Sequence, residues 1–215
     1  MDGARPAASA EDLAREAQGG SVHAFEALVA RFEGPLFNFL FMRTGNAAAA
    51  EDLCQEAFLR AWQRLVRYDA RWRFSTWLYT LAQNLAVSAH RSRSREPRPE
   101  GEARLREVPV IADPIDAAAG RDEGRALWDL AARVLREEER SALWLRYAED
   151  LSVEEIARVV GRPRVTVRVW LFRARERLGK ALQETRSARS APPTAPSGTV
   201  PIERRRSAES VGGLP

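Results

Sequence analysis

Apolar residues recur at steps of three and four along most of the chain, which is the spacing of one face of an α-helix. The predicted helices cover residues 11–18 and 21–44, a stretch capped by Asn46, a stretch beginning at Phe74, and residues 123–135 and 137–148. No alternation typical of a β-strand reaches a useful length. The pattern therefore predicts an all-α protein.

Residues 151–180 predict two further helices joined by a tight turn. Ser152 and Glu155 have the spacing of a capping box at the start of the first helix. Gly161 can adopt the left-handed conformation that ends a helix, and Pro163 cannot continue one. The second helix begins near Val165 and is rich in arginine, so the pair is interpreted as a helix-turn-helix that meets phosphate. An ordinary amphipathic pair with solvated arginines is the alternative, which the acids before the turn and the bases after it disfavour.

Composition divides the chain into two small helical domains joined by a flexible linker. Between them the sequence turns to Arg, Glu, Pro and Ala with few large apolar groups, which cannot bury enough surface to fold. The predicted segments are an N-terminal segment with a short helix (1–20), a first domain (21–95), a linker (96–122), a second domain (123–184) and a disordered Pro-rich tail (185–215).

The charge suits a partner that carries phosphates. The 215 residues have a formal net charge of +4, and Lys180 is the only lysine among many arginines. Arginine richness also fits a GC-rich genome, so it does not decide the partner alone. The single cysteine, Cys54, excludes an internal disulfide and has no zinc-ligand spacing to His23 or His90.

Several functional classes are disfavoured by what the sequence does not contain. No apolar run approaches the roughly 18 residues of a membrane span, and no secretory leader is visible, so a cytoplasmic protein is expected. There is no phosphate-binding glycine loop, nucleophile elbow or metalloprotease motif. The chain is therefore not expected to be an enzyme or to carry a catalytic residue, a metal or another cofactor.

A loop and the helix after it carry groups suited to exposed bases. Residues 67–73 read RYDARWR, which places two aromatic residues among three arginines. On the following helix Asn84, Ser88 and Arg91 recur at steps of four and three, so they share one face. These groups could lie along a nucleic-acid strand, although a hydrated helix face has a similar composition.

Three stretches resemble the extracytoplasmic-function sigma factors of bacterial RNA polymerase. AAEDLCQEAFLRAW (49–62) is similar to the segment that these factors lay against the polymerase clamp, and FSTWLYTLAQN (74–84) to their promoter-melting segment. EEIARVVGRPRVTVRVWLFRARERL, within the helix-turn-helix, resembles their reader of the upstream promoter element. The family often has Gly, Ser and Arg where this chain has Val165, Val169 and Trp170, so bulky apolar groups replace polar contacts.

The resemblance implies a protein that joins core polymerase and supplies promoter specificity without doing chemistry itself. Its implied partners are core RNA polymerase, through the clamp helices of the largest subunit and the flap of the second, promoter DNA, and an anti-sigma factor. Polymerase contacts are expected from Asp52, Gln55 and Glu56. Contacts to the −10 element are expected from Tyr68, Arg71, Trp72, Phe74, Asn84, Ser88 and Arg91. Contacts to the −35 element are expected from Arg164, Thr166, Arg168, Arg173 and Arg175.

Two other interpretations remain open at the level of sequence. The first is a helix-turn-helix regulator that binds duplex DNA without core polymerase and uses residues 20–95 for dimerisation or signal reception. This interpretation does not explain the aromatic and amide groups between Tyr68 and Asn84, which suit single-stranded bases. The second is an adaptor that binds other helices through its apolar and basic faces.

Overall fold

The computed structural model describes residues 8–93 and 121–190, and these ranges contain helices and no β-strand. The helices are α1 (Ala10–Gln18), α2 (Val22–Thr44), α3 (Ala47–Arg64), α4 (Phe74–Arg93), α5 (Arg121–Val134), α6 (Glu137–Tyr147), α7 (Val153–Val160) and α8 (Arg164–Ser190). A single 3₁₀ turn, Leu65–Arg67, follows α3. The predicted all-α class is confirmed.

Local capping groups fix several helix starts where the sequence places them. The Ser21 hydroxyl accepts a hydrogen bond from the Ala24 N–H at 3.2 Å, and the Asn46 side chain accepts one from the Ala49 N–H at 2.9 Å. These bonds satisfy N–H groups that have no partner within the helix. The starts of α2 and α3 therefore follow from contacts within three residues.

Two boundaries differ from those predicted. Helix α5 begins at Arg121 rather than at residue 123, and α8 continues to Ser190, past residue 184 where the second domain was expected to end. Extending a formed helix costs little because each added residue gains a hydrogen bond, and the Thr185 hydroxyl donates to the Ala181 carbonyl at 2.8 Å. Most of the predicted linker and the tail beyond residue 190 lie outside the described residues.

The first half of the fold, α1 to α4, is built around α2. Leu28, Leu36 and Phe39 of α2 are completely buried. Helix α3 presents small residues to this core, including Ala57, which lets the two helices approach closely. Tyr79 of α4 packs edge-on against Phe39 with ring centroids 5.1 Å apart. This packing holds α3 and α4 rigidly enough to present their outer faces.

In the second half, α5 and α6 pack beneath the helix-turn-helix, which is formed by α7 and α8. Trp144 of α6 is completely buried and packs against Trp128 of α5 with ring centroids 5.1 Å apart. The carboxylate of Glu139, also on α6, is buried and accepts a hydrogen bond from Arg177 of α8 at 2.8 Å. The two tryptophans therefore hold α5 against α6, and the ion pair with the buried Glu139 carboxylate holds α8 against α6.

The two halves pack against each other, with α2 beside α6 and α4 beside α7. The Thr76 hydroxyl donates to the Glu155 carboxylate at 3.1 Å, and Arg73 donates to the Asp150 carbonyl at 2.6 Å. Arg43 forms an ion pair with Glu137 at 3.1 Å. A single apolar core runs through both halves. The structure therefore holds the predicted domains in a closed arrangement.

A partly buried acid, Glu149, lies at this junction. Burial raises the pKa of Glu149, while the nearby Tyr79 hydroxyl and the charges of Arg73 and Arg31 act in the opposite direction. Its charged form therefore costs free energy in the closed arrangement. This part of the contact between the halves weakens as pH rises through the raised pKa of Glu149.

Candidate polymerase and nucleic-acid interfaces

The outer face of α3 begins with acidic and amide groups. Asp52 and Gln55 are exposed, whereas Glu56 is partly buried and forms an ion pair with Arg60 at 2.6 Å. The first two of the predicted polymerase contacts are therefore available to a partner. Glu56 already has a partner within its own helix.

The same face continues into apolar residues that the sequence analysis did not single out. Leu59 and Trp62 are 51% and 41% exposed. Together with Asp52 and Gln55 they recur at steps of three, four and three, which is the spacing by which one helix packs along another. We call Asp52, Gln55, Leu59 and Trp62 the α3 seam. Periodicity alone had put Trp62 on the buried side of α3, but the residue is 41% exposed and its ring contacts Phe25 at a tilted angle of 59°, with ring centroids 4.9 Å apart.

The loop between α3 and α4 has a buried base and an exposed tip. Tyr68 is buried, and its hydroxyl donates to the Trp72 carbonyl at 2.6 Å. Burial raises the pKa of Tyr68 to about 12. Phe74 is completely buried against Tyr68, with ring centroids 5.5 Å apart. The structure thus places these two predicted base contacts beneath the loop rather than on its surface.

The tip of this loop is already engaged on both sides. Arg71 forms an ion pair with Asp69, and the hydrogen bonds that Arg71 donates hold the pKa of the Asp69 carboxyl below its usual range. Trp72 is exposed on one side, while on the other the guanidinium of Arg158 from α7 lies 4.2 Å from the centroid of its ring. This contact is a cation–π interaction that would compete with stacking of a base.

Three predicted contacts on α4 share one exposed line. Asn84, Ser88 and Arg91 are all exposed, and the Ser88 hydroxyl donates to the Asn84 carbonyl at 2.8 Å. The Asn84 amide projects from a helix whose opposite side, including Leu78 and Leu85, is buried. A rigid helix therefore presents an amide, a hydroxyl and a guanidinium in sequence.

The helix-turn-helix has the local geometry that its sequence predicts. The Ser152 hydroxyl accepts from the Glu155 N–H at 3.2 Å, and the Glu155 carboxylate accepts from the Ser152 N–H at 2.8 Å. Burial favours the protonated form of Glu155, but the bonds from Ser152 and Thr76 outweigh it and lower its pKa. Gly161 has φ of 63°, the left-handed conformation that reverses the chain between α7 and α8.

The predicted −35 contacts spread around α8. Arg164, Arg168, Arg173 and Arg175 are exposed, whereas Thr166 is partly buried. Arg164 pairs with Glu154 at 3.1 Å. Arg168 and Arg175 line a pocket of about 410 Å³ between the end of α6, the start of α7 and α8. Arg146 and Glu154 also line this pocket, so it carries three guanidinium groups and one carboxylate.

The described residues contain neither a candidate membrane span nor a candidate metal site. Within residues 8–93 and 121–190 no helix is both long and apolar enough to cross a bilayer. The same ranges contain no group of three or more histidine, cysteine or acidic side chains placed to hold a metal ion. Cys54 is buried, and burial raises the pKa of its thiol to about 12.

The two halves match two family models. Residues 28–96 match the model described as Sigma-70 region 2, and residues 125–178 match Sigma-70, region 4. The first range contains the α3 seam and the exposed residues Asn84, Ser88 and Arg91 of α4, and the second contains nearly all of the helix-turn-helix. Because region 2 accounts for the first half as well, the comparison disfavours the regulator without polymerase.

Curated relatives extend the similarity over most of the chain. The RNA polymerase sigma-H factor of Pseudomonas aeruginosa is 34% identical over 184 residues, which are 80% of this chain and 93% of that protein. The ECF RNA polymerase sigma factor BldN of Streptomyces coelicolor is 33% identical over 84% of this chain and 70% of its own length. Sigma factor RpoE from Bartonella quintana, solved in complex with the anti-sigma factor NepR, has the same fold, with a TM-score of 0.56, 24% identity, and coverage of 75% of this chain and 98% of that one. The chain therefore belongs to the extracytoplasmic-function sigma factors, which bind core RNA polymerase and direct promoter-specific initiation of transcription.

Proposed function

We propose that this sigma factor divides promoter reading between its two halves. The line Asn84, Ser88 and Arg91, with the Trp72 loop, meets single-stranded bases of the −10 element, and α8 enters the major groove of the −35 element. The supporting observation is that both surfaces are exposed on helices whose opposite sides are buried. The proposed domain limits are residues 21–95 and 123–184, which contain nearly all of the two matched regions.

Run-off transcription tests this proposal directly. Purified protein is added to bacterial core polymerase with a promoter library on linear DNA. We expect start sites that depend on the protein and share one −10 and one −35 sequence. Start sites that share a −10 sequence alone would contradict the role given to α8.

The closed arrangement has to open for both elements to be read at once. Elements about 25 base pairs apart are separated by about 85 Å of B-DNA at 3.4 Å per base pair. A compact body of this size has a radius of gyration of only about 15 Å. Opening would also release the Trp72 ring from Arg158 and Thr76 from Glu155, which frees the loop and the adjoining end of α4.

Substituting Asn84 tests the −10 assignment. We expect Asn84→Ala to reduce open-complex yield about tenfold, because the amide offsets the few kcal/mol that unstacking a base costs. Affinity for core polymerase stays unchanged, since Asn84 lies on a different helix from the α3 seam. Ser92→Ala, an exposed change on the same helix, is the matched control. Permanganate footprinting measures the opening, and normal opening on every −10 variant would exclude this role for Asn84.

The partners follow from the same surfaces. We propose that the α3 seam lies against the clamp helices of the largest polymerase subunit and that the second half meets the flap of the second subunit. A structural relative was solved with an anti-sigma factor, and we propose a partner of that class for this chain. The proposed location is the cytoplasm, and the protein is proposed to have no catalytic activity of its own.

A further inference from the structure

The outer face of α8 carries an exposed apolar strip. Val165, Val169 and Phe172 are 68%, 39% and 57% exposed. The residues that anchor α8 in the core are Val167, Leu171 and Ala174, all buried. At about 100° per residue, each strip residue points within about 50° of the direction opposite that anchor. The strip is therefore the part of α8 that projects farthest from the protein.

Cationic side chains lie on both sides of the apolar strip. Arg164 and Arg168 are four residues apart and lie along one side of the strip, and Arg173 lies on the other side. All three are exposed. Trp170 is not part of the strip, because its ring is partly buried against the core. The complementary partner has an apolar centre between two anionic edges.

The major groove of DNA has this arrangement. Its two rims are phosphate backbones, and its floor presents the C5-methyl group of each thymine. Reading helices contact base edges mainly through their N-terminal residues. Val165 and Val169 lie in the first two turns of α8, and Phe172 follows in the next. An exposed valine side chain at these positions has no favourable interaction with water, but it can bury the C5-methyl group of a thymine against itself.

We propose that Val165 and Val169, extended by Phe172, read thymine methyl groups in the −35 element. This inference rests on the proposed role of α8 and adds the chemistry by which this chain selects its promoter. A protein partner would have to supply acidic groups on both sides of an apolar ridge, whereas duplex DNA carries phosphates at that spacing along its whole length. The charges flanking the strip therefore favour DNA as its occupant.

The test uses holoenzyme on a promoter obtained from the run-off experiment. Each thymidine of the −35 element is replaced singly by deoxyuridine, which removes only the C5-methyl group. We expect wild-type holoenzyme to lose about fourfold in affinity at one or two of these positions, which corresponds to about 0.8 kcal/mol for one buried methyl. Deoxyuridine in the spacer between the two elements should have no effect.

Variants connect this loss to the strip. Val165→Ala and Val169→Ala should each bind the thymidine and deoxyuridine promoters equally at one of the sensitive positions. Alanine is a better helix former than valine, so folding is not at risk at these exposed sites. Arg168→Ala is the contrasting control, because it should weaken both promoters alike and reduce the salt slope of binding by about one while keeping the methyl discrimination.

Several results would overturn the inference while leaving the proposed function intact. They are equal binding of thymidine and deoxyuridine at every −35 position, retained discrimination in both valine variants, or a −35 element without thymine. Loss of self-association or of anti-sigma binding in the valine variants, with unchanged promoter affinity, would assign the strip to a protein instead. Insensitivity of transcription to the entire −35 sequence would contradict the proposed role of α8 itself.

Discussion

Trp62→Ala is expected to weaken binding to core polymerase by about 2 kcal/mol, or about 30-fold in Kd. The indole lies at the end of the α3 seam, where it contacts the Phe25 ring and is partly open to solvent. Tryptophan held in this way is a frequent hot spot, because it buries a large apolar surface and loses few rotamers on binding. Gln55 and Asp52 precede it on the seam and would orient the contact.

The matched control for this variant is Arg64→Ala, which removes an exposed side chain from the same helix outside the α3 seam. Leu59→Ala supplies a second test, since Leu59 lies on the seam and is 51% exposed. Fluorescence anisotropy of labelled protein titrated with core polymerase measures Kd, and circular dichroism checks that the fold is retained. If Trp62→Ala and Arg64→Ala bound core equally well, the seam would not be the polymerase contact.

Arg177→Ala is expected to destabilise the second half by about 2 to 3 kcal/mol. It removes the side-chain partner of Glu139, whose carboxylate is 2% exposed and would keep the hydrogen bond from the Arg136 N–H at 3.1 Å. Removing one partner of a buried ion pair usually lowers the free energy of unfolding by about 3 to 5 kcal/mol, because the remaining charge is buried without a partner. The expected loss is smaller here because the Arg177 side chain is 40% exposed, so water reaches this side of the pair.

Thermal unfolding followed by circular dichroism measures this effect. We expect a Tm lower by about 5 to 10 °C, given about 2 to 4 °C per kcal/mol for a chain of this size. Lys180→Ala, an exposed change on the same helix, should leave Tm within about a degree. The double variant Arg177→Ala with Glu139→Ala should lose less stability than the sum of the losses in the two single variants, because it leaves no unpaired charge. Additive losses would show that the pair does not act as a unit.

The chain's local pattern predicted more of the helix-turn-helix than of any other part. The capping box at Ser152, the left-handed glycine at Gly161 and the turn at Pro163 all depend on contacts within about four residues. Such contacts can be recognised before the fold is known. The exposed line through Asn84 was visible for the same reason, since helical spacing decides which residues share a face.

Distant contacts account for what the pattern missed. Trp62 fits the apolar spacing of α3, yet its exposure depends on where α2 places Phe25. Tyr68 has the composition of a base-handling residue, yet it is buried because its ring packs on Phe74 and its hydroxyl meets the Trp72 carbonyl. The sequence spacing of Trp62 and Tyr68 does not indicate which of the two side chains is exposed and which is buried. Each was decided by the free energy of burying a ring against a neighbouring element.

The sequence by itself determined the helices, their caps, the helix-turn-helix and the resemblance that named the family, because these depend on short-range geometry and composition. Only the tertiary structure decided that α4 packs on α7, that Glu139 is buried with Arg177, and that Val165 and Val169 project outward. Arg73 and Asp150 are 77 positions apart, and Glu139 and Arg177 are 38 apart. Contacts over such separations form when helices dock, and a periodic pattern states which face is apolar without stating which helix covers it.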